Sequence, residues 1–307
     1  MRGTGSLILS LIHEGKEGFI LATLKKHNYL IIGASSPVAR YFVDNHDQEK
    51  YNFYGVSSKI DKPTLHKNLH LFSLYRPSDL ADIEFHKMLI LSSRLLSENV
   101  SLSDFREVNF HVMRLLKALK FSPSHTLRIM FMSTFSVYNP LVKVITEQTP
   151  TELTNDYVIS KLELEDLLNQ FSRDINALLL ILRMPIFAYP GVADNFLARL
   201  VLATRNGEEF TLTNPNSTLS AVFDIDNLIA LGERDWLEHK IVNCASAGDI
   251  TFQEIAEFAL SKGLQKATWR NTDRPSQKVS LDVIEKILGY KPSAKAIVTN
   301  LFAKEFS

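Results

Sequence analysis

Cysteine is almost missing. Cys244 stands alone among 307 residues, which rules out an intrachain disulfide and points to a reducing cytoplasm. Its apolar neighbours Ile241 and Val242 predict a buried, inert thiol rather than a nucleophile. Net charge is missing as well: 34 basic residues balance 34 acidic ones. No whole-chain field therefore favours nucleic acid or an anionic membrane. Nor does any apolar run approach the roughly 20 residues that span a bilayer. What remains is a chain 45% hydrophobic and 22% charged, the balance of a globular protein. Its length suits one large domain, or one domain with a smaller lobe.

The first 27 residues stand apart. Leu7 to Ile12 and Gly18 to Leu24 are apolar, with the charged stretch His13 to Glu17 between them. Both runs are too short for a membrane helix, and no small-residue cleavage pattern follows. The segment reads as an extra strand or helix, or as a start-site remnant, with no function assigned.

From Tyr29 onward, short apolar runs alternate with amphipathic stretches. Strands are expected at 29–32, 51–56, 68–72, 87–91, 127–132 and 177–182, and helices at 37–43, 103–120 and 155–171. That alternation predicts a doubly wound α/β fold, a parallel sheet covered on both faces with ligands at the carboxyl ends of its strands. After Arg183 glycine and proline become frequent and the alternation fades. Residues 186–307 are expected to form mainly a smaller substrate lobe, with a strand near 240–244 returning to the main sheet. Thr251 and Glu254 have capping-box spacing for a helix over 251–260.

The turn Gly33-Ala34-Ser35-Ser36-Pro37-Val38-Ala39 follows the first strand and opens a helix, where a phosphate-binding turn belongs. Gly33 permits the tight bend, and the Ser36 hydroxyl suits a helix cap. Pro37 suits the first helical position but lacks an N–H. An ordinary strand–helix turn reads equally well. The second strand ends in Ser57, Ser58 and Lys59, where an acidic residue would select NAD. Serine hydroxyls and a lysine instead suit the 2′-phosphate of NADP, or simply a solvated turn. Farther along, Tyr157 and Lys161 are four apart and so share a helical face. An ammonium beside a phenol favours the phenolate, the property a proton shuttle between hydroxyl and ketone needs. Asn109 sits on the apolar stripe of Phe105, Val108, Val112 and Leu116, as a structural hydrogen-bonder or a link in a proton relay. His66 and His70 have the spacing of metal ligands but no third partner, and no metal is expected. Asp224 and Asp226 read as groups that position the lobe.

These motifs, in this order, resemble the extended short-chain dehydrogenases/reductases, also described as NAD-dependent epimerase/dehydratase proteins. The resemblance runs from about Asn28 to Pro292. It is carried by the Gly33 turn, Val108-Asn109, Ser133 to Tyr138, Glu147 with Pro150, and Tyr157 to Lys161. Leu182-Arg183-Met184-Pro185, Phe223 to Leu228, Asn243 with Ala245, and Leu288 to Pro292 complete it. It implies an NAD(P)-binding Rossmann domain at 28–185 and an enzyme acting on a hydroxyl or keto group, with a nucleotide-diphospho-sugar as substrate. Tyr157 would be the acid/base, Thr134 would bond the reacting oxygen, Lys161 would hold the nicotinamide ribose, and Asn109 would support the lysine. Gly33, Ser35, Ser36, Ser57, Ser58, Lys59, Ser92, Pro185 and Ile186 would complete the cofactor site. Ser136 and Asn195 would meet substrate, and helices 103–120 and 155–171 would pair with their copies in a homodimer. Some positions depart from the pattern: two turn glycines are gone, Ser57 and Ser73 replace acidic residues, and Leu91-Ser92-Ser93-Arg94 replaces His-Leu-Ala-Ala. Those losses admit a second reading, a cofactor-sensing protein without catalysis. NADP is preferred over NAD, and Phe135-Ser136 in place of an acidic pair argues against dehydration.

Overall fold

The alternating runs resolve into a parallel sheet with helices on both faces. The computed structural model describes residues 26–58, 69–91, 100–121, 125–190, 195–272 and 277–306. Within them the first half of the chain gives β1 (His27–Ile32), α1 (Pro37–Asp44), β2 (Tyr51–Ser57), β3 (Leu69–Ser73) and β4 (Lys87–Ile90). There follow α2 (Leu102–Ala118), β5 (Arg128–Thr134), β6 (Val144–Ile145), α3 (Asp156–Asp174) and β7 (Leu178–Met184). The second half gives β8 (Ile186–Ala188), α4 (Phe196–Asn206), β9 (Glu209–Thr213), β10 (Val222–Asp224), α5 (Ile225–Glu233) and β11 (Lys240–Asn243). It ends with α6 (Phe252–Ser261), β12 (Lys266–Arg270), β13 (Lys278–Val279), α7 (Asp282–Leu288) and α8 (Ala294–Phe306).

Seven strands form the main sheet in the order β11-β7-β5-β4-β1-β2-β3, all pairs parallel. This is the expected doubly wound Rossmann arrangement. From β1 the chain winds one way through β2 and β3, then crosses back to β4 on the other side. The reversal opens a crevice at the carboxyl ends of β1 and β4, the place such sheets offer to ligands. Apolar side chains fill both faces. Tyr29, Ile31, Leu89 and Met130 belong to one core cluster, while Leu30, Ile32, Met88 and Ile129 belong to the other. Alternate residues of each strand thus serve opposite layers.

The helices start where their capping residues say. Ser36 accepts from the Ala39 N–H at 3.1 Å, with Pro37 in the first turn. Ser101 and Asp104 form a capping box on α2, and Thr251 and Glu254 form the expected one on α6. β5 runs two residues beyond its expected end. Its pairing with β7 continues through Ser133 opposite Arg183 and Thr134 opposite Met184, so tertiary pairing extends a strand that hydropathy alone stops at Met132.

Outside the main sheet stand three short parallel pairs, β8 with β10, β9 with β12 and β6 with β13. The first two lie by a third apolar cluster that includes Leu197, Leu200, Ile255 and Phe302, while Ile145 of β6 joins a separate small cluster with Val137 and Val158. β11 leaves the lobe and pairs with β7 in the main sheet. Cys244 is buried, and burial pushes its thiol well above the ordinary range. Among the described residues no helix is long and apolar enough to cross a membrane. Residues 1–25 and His66 lie outside the described residues. His70 lies on β3 with its ring 5.3 Å from that of Tyr54, and no group of three metal-ligating side chains gathers among the described residues.

Candidate active site

Because every main-sheet strand runs the same way, the loops after β1, β2, β5 and β7 meet along one edge. Gly33 follows β1 with φ of 95°, a backbone region that glycine enters without strain. The bend is fixed by the Gly33 and Ala34 N–H groups, which both donate to the Val56 carbonyl at 2.9 and 3.0 Å. β2 can approach this closely because it carries Gly55. A Cβ there would lie 2.7 Å from the Ala34 Cβ and 3.0 Å from a Leu71 methyl. Spacing alone did not single out Gly55; its partner across the sheet explains it. Ser36 N–H turns back to the Gly33 carbonyl at 3.1 Å. The Ser35 and Val38 amides have no partner among the described residues, at the positive end of α1 where an anionic group is favoured. Ser35 is exposed and Ser36 half-buried. The residues present thus fit a pyrophosphate, with fewer donors than three glycines and no proline would give.

At the end of β2, Ser57 is buried and Ser58 exposed. Ser57 accepts the Leu74 N–H through its carbonyl at 3.0 Å. Lys59 and Ser92 lie outside the described residues.

The groups expected to handle protons lie together at the end of β5. Thr134 is buried, and its Oγ1 accepts the Ser136 N–H at 3.1 Å. That leaves its own proton for the Tyr157 phenol, whose acidity it raises. Ser136, expected against substrate, is exposed on the short turn that follows β5. Tyr157 opens α3, whose N-cap Asn155 accepts from Val158 N–H at 3.0 Å. The Phe105 ring of α2 packs edge-on against it at 5.8 Å. Lys161, one turn on, is buried; its Nζ donates to the Met132 carbonyl at 2.8 Å and sits 4.9 Å from the Phe131 ring centre and 5.8 Å from that of Tyr157.

The electrostatics correct one expectation. Burial pushes the Tyr157 phenol above its ordinary value, and the group that pulls it back down is Thr134, not Lys161. The reason is geometric. The ammonium is tied to a backbone carbonyl and lies over the phenol's ring, 5.8 Å from its centre, while desolvation of a phenolate outweighs the pull of Thr134. Lys161 itself is brought down to about 8 by burial, with Glu165 acting the other way.

Asn109 is buried on α2, and its Nδ2 donates 2.9 Å to the Ser160 carbonyl, one residue before Lys161. It pins α3 to α2 directly. Pro185 and Ile186 follow β7 at the same edge. Asn195 caps α4: its Oδ1 accepts from Ala198 N–H at 3.0 Å and its Nδ2 donates to the Phe187 carbonyl at 3.0 Å. Asp224 caps α5 in the same way through Asn227 N–H, and Asp226 pairs with Lys304 of α8 at 2.8 Å. Both aspartates serve the architecture of the lobe.

Beyond Ile186 opens a cavity of about 770 Å³. Its walls carry Arg270, Asn214, Thr272 and Gln277 beside Leu219 and Phe252. Among the described residues one cation, several amides and hydroxyls, and apolar side chains line it, which suits a polar, negatively charged organic molecule. None of these wall residues formed a visible motif, because Asn214 and Thr272, joined at 3.0 Å, lie 58 positions apart.

The model of the NAD dependent epimerase/dehydratase family matches residues 29–230. The chain belongs to that family. It is an NAD(P)-dependent enzyme of the extended short-chain dehydrogenase/reductase type. Solved structures share the fold at low identity. UDP-glucuronic acid 4-epimerase from Bacillus cereus, in complex with NAD, is 16% identical with a TM-score of 0.68, over 90% of this chain and 99% of that one. The enzyme WbmG from Bordetella bronchiseptica, also with NAD, is 15% identical at 0.71, over 92% and 95%. UDP-N-acetylglucosamine 4-epimerase from Bacillus cereus is 14% identical at 0.71, over 92% and 100%. No curated protein matches the chain.

Proposed function

We propose that this member of the epimerase/dehydratase family epimerises or reduces a nucleotide-diphospho-sugar with NAD(P), and that Thr134, Tyr157 and Lys161 carry the proton chemistry. The observation behind this reading is the Lys161 ammonium, buried 5.8 Å from the Tyr157 ring centre with Thr134 acting on the phenol, at the sheet edge that also holds the Gly33 turn. Residues 28–185 hold the cofactor in this reading, and 186–307 mainly hold substrate. NAD(P), when bound, accepts a hydride from a sugar carbon or delivers one to it. Its pyrophosphate would lie on the Gly33 turn with Ser35 and Ser36, and Pro185 and Ile186 would border its nicotinamide. Tyr157 Oη takes the proton of the substrate hydroxyl as the hydride leaves, and gives it back on return. Thr134 Oγ1 bonds the same oxygen, Ser136 and Asn195 lie on the substrate side, and Lys161 holds the ribose. Asn109 keeps α3 in place. The cavity beyond Ile186 takes the nucleotide diphosphate, with Arg270 as its cation.

Ser57 and Ser58 put no carboxylate at the end of β2, so NADP is the preferred cofactor. The single buried thiol suits a reducing cytoplasm. Phe110 on α2 and Leu167 on α3 are exposed apolar residues, 63% and 45% accessible. They are offered as the seam of a homodimer, in which α2 and α3 pack on their copies; sedimentation at micromolar concentration reads the mass, and a monomer removes that seam.

The test of function is calorimetric titration with NADPH and NADH, followed by a turnover screen on nucleotide sugars. Binding of either cofactor with turnover of at least one sugar is the expected result. Tight binding with no turnover on any of them would make the chain a sensor.

A further inference from the structure

We propose that Glu165 is a positioning residue: clamped by Arg183 and Ser133 one helical turn beyond Lys161, it is the fixed counter-charge of the ammonium that the Met132 carbonyl holds beside Tyr157. The same clamp fastens the catalytic edge to the returning strand β11. The proposal uses the reading above only in placing Lys161 in the active site.

Glu165 lies one helical turn beyond Lys161 on α3 and is buried. Arg183 Nη2 donates to its Oε2 at 2.8 Å and Nε to its Oε1 at 3.3 Å, while Ser133 Oγ also donates to Oε1. The free fork of Arg183, Nη1, donates 2.9 Å to the Tyr138 hydroxyl, which donates in turn to Asn243 Oδ1 at 2.8 Å. Asn243 lies on β11 opposite Arg183, and its N–H donates to Glu147 at 3.0 Å. One polar chain therefore ties α3, β5, β7 and β11 behind the site. Glu147, Tyr138, Arg183 and Asn243 all lie in motifs that carry the family resemblance. The network gives those scattered positions a common physical task, and Glu165 joins it without belonging to any of them.

The charges around Lys161 make Glu165 the group that matters. On the helix of Lys161 itself, Tyr157 stands one turn before and Glu165 one turn after. β5 brings the Met132 carbonyl and no ionisable side chain, and α2 brings the neutral Asn109 amide. Behind Glu165 stand Arg183 from β7 and Tyr138 from the turn after β5. Burial alone disfavours an ammonium there, and Glu165 is the counter-charge that opposes it. Arg183 draws off part of that negative charge. Each partner thus moves Lys161 in the opposite sense, which a merely structural ion pair would not do.

The test titrates Lys161 directly in protein labelled with carbon-13 lysine. The resonance lost in Lys161→Met identifies it, and neither substrate nor turnover is needed, so the answer is independent of whether nucleotide sugars react. In Glu165→Gln the midpoint falls by about one pH unit, a tenfold loss of proton affinity. In Arg183→Met it rises, because Glu165 keeps its full charge. Breaking a buried pair is destabilising, so Ser133→Ala is the mild companion. It removes only one hydroxyl from Glu165, and the midpoint rises there too. Tyr138→Phe leaves the midpoint where it was. A midpoint unmoved in every folded variant of Glu165, Arg183 and Ser133 overturns the proposal.

Discussion

Tyr157→Phe is expected to cut turnover by about 10²–10⁴-fold, the contribution of a positioned acid/base, while cofactor affinity stays. The substitution keeps the ring and its edge-on contact with Phe105. It removes only the oxygen whose acidity Thr134 raises. The packing of the ring is kept, so the chain stays folded and the activity loss is chemical. Single-turnover kinetics on the best nucleotide sugar, beside a calorimetric cofactor titration, separates the two effects. Turnover within a few-fold of wild type would take the phenol out of the mechanism. A loss of cofactor binding equal to the loss of turnover would make Tyr157 a binding residue instead.

Lys161→Met should stabilise the protein without ligand while abolishing its activity. The ammonium sits in a dry site, and its pKa is lowered from 10.5 to about 8. A group whose folded value is depressed disfavours the native state wherever the unfolded chain is protonated. At pH 7 that penalty is fully present and amounts to about 3 kcal/mol. Loss of the 2.8 Å hydrogen bond to Met132 offsets about 1 kcal/mol of the gain. A net stabilisation of about 2 kcal/mol, or roughly 4 °C in Tm, is the expectation. The sign gives a second check. As pH rises through 8 towards 10.5 the wild-type lysine sheds its proton in the folded state, and the advantage of the methionine variant shrinks. Denaturant melts of both proteins at pH 7 and pH 10 read this. A variant less stable than wild type at pH 7 would show that the ammonium is better compensated than its surroundings indicate. This is the usual cost of a working site: the charge is kept where folding disfavours it.

The sequence made the sheet legible because each central strand is a short apolar run and the helices beside it, α1, α2 and α3, carry their own caps. Ser36, Thr251 and Glu254 act as their types predict. The Tyr157–Lys161 pair was legible because both partners lie on one helix, where spacing is geometry. What could not be read needed the sheet to be assembled. Arg183 and Glu165 meet across elements, as do Gly55 and Ala34, and nothing in either local stretch announces the partner. The lobe was obscure for a related reason. Its strands are two to five residues long and pair with distant segments, such as β9 with β12, so no hydropathy period has room to appear. The sequence misled once, over the phenol's acidity. The spacing of Tyr157 and Lys161 was right, but it could not show that the ammonium would be held by Met132, nor that burial would outweigh it.

The most direct test of the central claim is a structure of the protein with NAD(P) bound. The pyrophosphate is expected against the Ser35 and Val38 amides of the Gly33 turn, with the nicotinamide within reach of the Tyr157 oxygen and the ribose on Lys161. A cofactor whose pyrophosphate avoids that turn, or whose nicotinamide lies away from Tyr157, would contradict the account.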